Sequence, residues 1–309
     1  MSIQVRKGRH VLSLLLPLVL AALAPFATAQ DEPARKAFRV CKDPGNMPFT
    51  NASGEGFEDR IAALFAAQLG LPVETYSFPQ RLGFVRNTLR YKLPGADYPC
   101  DIVMGVPAGF GQLLPTKPYY RSTYVLVFPA EKALAEVRSA EDFLALPRAT
   151  LDTLRIGVFD RSPASAWLDR HQLVDSGVPY LLMSPNPDEA PAQLIARDLA
   201  AGTIDVAVVW GPIGGYLARE AKDRALRVVP LASEPGVKFD YSMAMGVRFG
   251  EKAWKEQIED LIGRNRSEIE AILRDYGVPL LPEPASPTVS DAPADSGGPR
   301  VAAATPAPR

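Results

Sequence analysis

The chain has 309 residues, with 34 lysines and arginines against 35 aspartates and glutamates, two histidines and two cysteines. Charge so evenly balanced and interspersed gives no electrostatic case for a nucleic-acid partner or an anionic lipid surface. Two histidines and two distant cysteines do not make an ordinary zinc site.

Arg6, Lys7 and Arg9 precede an apolar run over residues 11–26, which Pro17 and Pro25 interrupt, and Ala27-Thr28-Ala29 is a small-residue cleavage site. Residues 1–29 therefore read as a signal peptide, with the mature chain starting at Gln30. The run is short for a membrane span, and no cysteine stands at the cleavage site to carry lipid. No membrane anchor is expected.

Residues 38–42 predict a strand, and residues 43–56, rich in Pro, Gly and Asn, predict a turn. Phe57, Ile61, Leu64, Phe65 and Leu69 recur at helical spacing, with Gly70 as the stop. A strand over 73–78, a helix over 82–91 with Leu82, Val85 and Leu89 on one face, and a strand over 100–106 follow. This β-α-β-α-β order is the mark of a parallel sheet covered by helices. Residues 107–119 read as a loop holding no acid, arginine or histidine. Tyr120-Arg121 then leads to a strand at 124–128, and the charged stretch 129–138 reads as an exposed excursion.

The pattern then starts again: strands over 155–159, 180–183, 204–210 and 227–230, and helices over 163–171, 188–201 and 212–221. A strand over 241–247 is expected to return to the first unit. Amphipathic helices over 253–262 and 267–276 flank Gly263. From residue 282 the chain is Pro, Ala, Ser, Thr, Asp and Gly with almost no large apolar side chain. Such a segment buries too little surface to offset its ordering entropy and is expected to be a disordered tail over 282–309.

The expected fold is α/β in two lobes, each a mainly parallel sheet flanked by helices: residues 36–127 with 240–281, and residues 128–239. Ligands of such sheets sit at the carboxyl ends of strands, here near 43–49, 105–109, 160–163 and 210–215. Facing ends enclose a cleft. The candidate cleft residues from the first lobe are Asp43, Asn46, Met47, Phe49, Arg81, Phe84, Gly105, Val106, Pro107, Phe110, Tyr119, Tyr120 and Arg121. The second lobe adds Asp160, Ser162, Trp210, Gly211 and Tyr216. About half of the aromatic members are expected to be core. Arg81 and Arg86, either side of Phe84, serve the cleft mouth or cap the helix equally well.

Catalytic signals are weak. His171, the one histidine outside the leader, reads as a surface or core residue. Asp43, Glu55, Glu58, Asp59 and Asp160 are carboxylates near strand ends or turns, each explained by turn chemistry, helix-end charge or solvent exposure. No catalytic residue, metal or cofactor is assigned. Cys41 and Cys100 lie in or beside strands of one lobe of an exported chain. A bridge between them is expected, with two buried free thiols as the alternative.

The segments Gly56-Phe57-Glu58, Pro118-Tyr119-Tyr120, LRIGVFDRSPAS and GTIDVAVVWG resemble a type II, amino-acid-binding periplasmic solute-binding protein. The segments RVCKDPGNMPF, GEGFEDRIA, FPQRLGFVRNTL, CDIVMGVPAGF and TKPYYRSTYVLVF are similar to a narrower group. These are the accessory binding proteins encoded beside quinoprotein methanol dehydrogenases, the MoxJ/XoxJ type. The resemblance covers about residues 38–281. It implies a non-enzymatic periplasmic protein that assists maturation or activation of a dehydrogenase carrying pyrroloquinoline quinone. The implied partners are that enzyme and its cytochrome c, and the protein itself is expected to be a monomer.

Two departures from amino-acid binders bear on the ligand. Those proteins hold the ligand carboxylate with an arginine shortly before Pro-Tyr, and residues 107–117 contain none. They hold the ammonium with an acid after the strand that Asp205 opens, and that place is Trp210. A zwitterion leaving water without charged hydrogen-bond partners is bound poorly. The alternatives are a transport receptor for a small solute other than an amino acid, and a lyase on the same fold, which needs a buried carboxylate facing a basic group.

Overall fold

A computed structural model of the protein describes residues 35–80, 83–92, 94–182, 190–222 and 224–282. The expected signal peptide lies outside the described residues, as does the expected tail beyond Pro282. Among the described residues, no helix is long and apolar enough to cross a membrane.

The first run comprises β1 (Phe38–Lys42), a small hairpin of β2 (Gly45–Asn46) and β3 (Thr50–Asn51), α1 (Phe57–Leu69), β4 (Val73–Ser77), the single turn α2 (Phe84–Asn87), β5 (Ile102–Pro107) and β6 (Leu114–Ser122). On α1 the spacing of Phe57, Ile61 and Phe65 puts three fully buried side chains on one face, each worth about 1.5–3 kcal/mol relative to exposure. Asp59 caps the helix by accepting the Gly56 N–H at 3.1 Å.

The second run comprises β7 (Tyr124–Pro129), α3 (Ala140–Leu144), α4 (Arg148–Leu151), β8 (Ile156–Phe159), α5 (Pro163–Arg170), β9 (Gly177–Tyr180), α6 (Pro191–Ala200), β10 (Val206–Trp210), α7 (Gly211–Glu220) and β11 (Leu226–Pro230). The chain closes with β12 (Tyr241–Val247), α8 (Lys252–Arg264) and α9 (Arg266–Asp275).

Two five-stranded sheets result, ordered β4-β1-β5-β12-β6 and β11-β7-β10-β8-β9. In the first, β4, β1 and β5 are parallel, and β12 runs antiparallel between β5 and β6. In the second, β10, β8 and β9 are parallel, while β7 runs against both β10 and β11. α1, α8 and α9 cover one face of the first sheet around Phe38, Trp254 and Ile258, and the other face packs on Phe84, Leu89 and Val103. The second sheet is likewise covered on both faces. Only Thr123 separates β6 from β7, and the return passes through Phe239 and Asp240 into β12.

The structure corrects several local readings. The expected loop over 107–119 ends at Leu113, because β6 begins at Leu114. Pro115 and Pro118 disguise this strand, and it tolerates them because it is a sheet edge. The stretch 129–138 is not simply exposed: Leu134 and Val137 are buried. The strand expected at 180–183 lies at 177–180 instead, and Met183 falls outside the described residues. Of the helix expected over 82–91, residue 82 lies outside the described residues, and the described part holds one turn, Phe84–Asn87. Gly263 does not separate the last two helices; it sits inside α8, and the break falls at Asn265.

Candidate functional site

At the carboxyl ends of β1 and β5 lies a cavity of about 220 Å³. Lys42 and Asp43 at the end of β1, Asn46, Phe49 and Thr50 from the hairpin, and Gln80 and Phe84 around α2 form its walls. Cys41, Val103, Gly105, Pro107 and Met243 complete the first-sheet side, Glu58 of α1 enters from one wall, and Trp210 from β10 is the contribution of the second sheet.

Local bonding fixes these groups. Asp43 accepts the backbone N–H groups of Gly45 (2.9 Å) and Gln80 (2.6 Å), pinning two loops together. Asn46 donates to Gln80 Oε1 at 2.8 Å. Lys42 is buried, and its Nζ donates to the Asn51 carbonyl at 2.7 Å and to Asp59 at 2.9 Å. The Trp210 ring sits between Tyr124 at 5.7 Å and Tyr241 at 5.8 Å, the first residues of the two strands that follow the crossings.

Glu58 is the unusual member. It is 8 % exposed, and no described residue donates a hydrogen bond to its carboxyl. Burial, with the neighbouring Asp59 charge adding to it, pushes its pKa up to about 8. Its Oε1 lies against Gly105, where an added β-carbon would stand 2.2 Å away. Glycine at 105 therefore makes room for the acid.

Of the sequence candidates, Asp43, Asn46, Phe49, Phe84, Gly105, Pro107 and Trp210 come together around this cavity. The other described candidates do not line it. Tyr119 and Tyr120 are buried between α1, α9 and the sheet. Met243 pairs with Tyr120 and Ala244 with Pro118, so Tyr119 is an extra residue, a β-bulge. The bulge lets two consecutive tyrosines enter one core with ring centroids 4.8 Å apart. Both hydroxyls lack a hydrogen-bond partner, and burial raises both pKa values, with the Glu58 charge adding to the effect. Trp210 lies close enough to Tyr120 to offset part of its shift, short of a well-formed hydrogen bond.

Met47 and Tyr216 pack against the first core, and Tyr216 stacks on Tyr276. Val106 is core, with Phe110 against it. Arg121 pairs with Asp240 at the crossing. Asp160 faces its neighbour Arg161, and the Ser162 hydroxyl donates to the Phe159 carbonyl at the start of α5. Gly211 opens α7 in close contact with the Thr123 carbonyl, so close packing explains it. Arg81 lies outside the described residues. Cys41 and Cys100 form a disulfide beside the cavity.

Sequence reasoning named Glu58 only as a carboxylate near a strand end or turn and within the segment Gly56-Phe57-Glu58, and it did not single out Lys42, Thr50, Gln80, Val103 or Met243. A signal for Glu58 existed: with Ala62 and Phe65 it follows i, i+4, i+7 spacing, which predicts a shared buried face. His171 pairs with Glu234 at 3.0 Å beside Trp167, away from this cavity. Among the described residues, no group of three or more His, Cys, Asp or Glu side chains is arranged to hold a metal ion.

Two sheets joined by two short crossings, with a cavity at their strand ends, define a type II periplasmic binding protein fold. Several solved structures share it. Periplasmic binding protein XoxJ from Methylobacterium extorquens AM1 is 35 % identical, covers 80 % of this chain and the whole of its own, and superposes with a TM-score of 0.64. MxaJ from Methlophaga aminisulfidivorans MPT (22 % identity, TM-score 0.64, 79 % of this chain and the whole of that one) and an ancestral cationic amino acid solute-binding protein (17 %, TM-score 0.57, 79 % and 96 %) share the fold. Protein MoxJ of Methylorubrum extorquens is 30 % identical over 288 residues, 85 % of this chain and 91 % of that protein. Protein MoxJ of Paracoccus denitrificans is 27 % identical over 258 residues, 79 % and 89 % respectively. No family model matches the chain. The chain belongs to the MoxJ family.

Proposed function

We propose that this protein is a periplasmic accessory binding protein that assists maturation or activation of a methanol or other alcohol dehydrogenase carrying pyrroloquinoline quinone. In this reading its two lobes, residues 36–127 with 240–281 and residues 128–239, flank a cleft that engages a segment of the dehydrogenase. Membership of the MoxJ family carries the reading. The site is consistent with it: Trp210 stands where an amino-acid receptor places an acid, and residues 107–117 hold no arginine. Deleting the gene in its host is expected to leave dehydrogenase poorly assembled or poorly active, restored by the gene in trans. Fully assembled and fully active enzyme in the deletion strain would overturn the proposal. Capture of the dehydrogenase or its cytochrome c by the mature protein from periplasm identifies the partner.

The small size of the cavity favours a second reading, a receptor that delivers a small solute to a permease. A thermal-shift screen with amino acids, small carboxylates, alcohols and quinone precursors tests it, and a micromolar ligand would move it ahead. The lyase reading gains no support. Glu58 supplies a buried carboxyl, but the nearby cation, Lys42, is engaged by Asp59 on the same lobe.

A further inference from the structure

Glu58 is more than nine-tenths buried, lines the cavity, and receives no hydrogen bond from any described residue. A buried carboxylate without a partner is costly, and the group answers by holding its proton. A ligand that brought its own positive charge and N–H donors would supply what the surroundings withhold.

The charges facing Glu58 from each packed element point the same way. On α1, Asp59 adds negative charge, and Lys42 at the end of β1 is held by Asp59 and the Asn51 carbonyl. Asp43, just after β1, is a second acid in the wall, satisfied by backbone N–H groups. β6 presents Tyr119 and Tyr120, whose partnerless hydroxyls feel the Glu58 charge. β5 presents uncharged Gly105 and Pro107, β12 presents Met243, and β10 presents the Trp210 ring. A carboxylate or phosphate finds no uncommitted cation among these groups. An aromatic wall attracts a cation and also covers an apolar stem.

We propose that this cavity binds a primary ammonium group on a short apolar stem, with the nitrogen at the Glu58 carboxylate and the stem against Trp210 and Phe49. The inference goes beyond the dehydrogenase reading and stands without it. The same chemistry has two sources, a free small amine and a lysine side chain on a partner segment. Because Glu58 is protonated at neutral pH, binding releases one proton to the buffer. Affinity therefore rises about tenfold per pH unit below the Glu58 pKa and levels off above it, while the amine itself stays charged to about pH 10.

Calorimetric titration of the mature protein with n-butylammonium, Nα-acetyl-lysinamide, butyramide and butyrate, between about pH 6 and pH 9, tests this. The amines are expected to bind, butyramide and butyrate much more weakly, and heats in two buffers of different ionisation enthalpy are expected to report one proton released near pH 7. Tighter binding of n-butylammonium marks the free amine as the source, and tighter binding of Nα-acetyl-lysinamide marks the side chain. Glu58→Gln is expected to weaken the amines at least tenfold and to flatten the pH dependence. Its folding is checked by circular dichroism, and the proton release of the unaltered protein stands as an independent readout. Absence of amine binding at every pH, equal binding of butyrate, or an affinity unmoved by Glu58→Gln would each overturn the proposal. None of these results bears on whether the gene deletion impairs the dehydrogenase.

Discussion

The α-carbon of Gly105 lies against the carboxyl of Glu58, so close that a β-carbon at position 105 would come within 2.2 Å of Oε1. Two segments far apart in sequence, the first turn of α1 and the middle of β5, thus depend on each other at one wall of the cavity. Gly105→Ala is expected to push the carboxyl out of place and cost about 1–3 kcal/mol. Urea unfolding measures the cost. A variant as stable as the parent would mean that Glu58 moves aside freely.

Glu58 also sets a pH dependence of unusual sign. Its folded pKa, about 8, lies above its ordinary value of 4.5. Between those values the folded state holds a proton that the unfolded state has lost, so stability falls as pH rises, at up to about 1.4 kcal/mol per unit. Glu58→Gln is expected to remove that decline and to be more stable than the parent above about pH 8. Parallel curves of urea midpoint against pH for the two proteins would refute this.

Asp101 behaves in the opposite way. It is fully buried, and although burial opposes ionisation, hydrogen bonds from Arg39 and Arg248 and the charge of Arg35 hold its pKa below the usual value. Its contribution is present above the ordinary aspartate pKa and is lost as pH falls through the depressed folded value. Asp101→Ala removes the acid shared by Arg35, Arg39 and the buried Arg248, leaving Glu251 as the one carboxylate paired with Arg248 among the described residues, and is expected to cost about 3–5 kcal/mol. Acid unfolding of the parent is expected to be steep at the low end, and a shallow acid limb would count against this.

The Cys41–Cys100 disulfide spans 59 residues of chain. By loop-closure entropy, removing it costs about 4 kcal/mol. The paired Cys41→Ser, Cys100→Ser variant is expected to unfold at distinctly lower denaturant, and the parent is expected to show no free thiol in denaturant without reductant. Two titratable thiols would overturn the bridge.

Much of this protein was readable locally. Strand and helix runs followed period-two and helical spacing, and strand–helix alternation led to parallel sheets covered on both faces. The bridge was readable because only two cysteines exist. Phe49, Gly105 and Trp210 could be placed at the cavity because strand ends in such sheets face the ligand. The errors fell where pairing outweighs local signal. Pro115 and Pro118 hid β6, whose partner β12 arrives more than a hundred residues later. Tyr119 and Tyr120 read as cleft aromatics because they stood at the end of an expected loop beside the cleft, and the bulge that admits both to one core exists only in the paired sheet. Arg121 read as a cleft cation, and its mate Asp240 comes from the return crossing.

The two-sheet α/β class and most of the strands and helices followed from the sequence, because spacing and composition act locally; the Cys41–Cys100 bridge was an expectation set beside two buried free thiols, and the structure closes it. The tertiary structure alone decided that Glu58 is buried without a partner, that Gly105 makes its space, and that Lys42 is engaged elsewhere. Burial and hydrogen bonding are properties of side chains brought together from distant segments, and the ionisation of Glu58 depends on those neighbours rather than on its place in the chain.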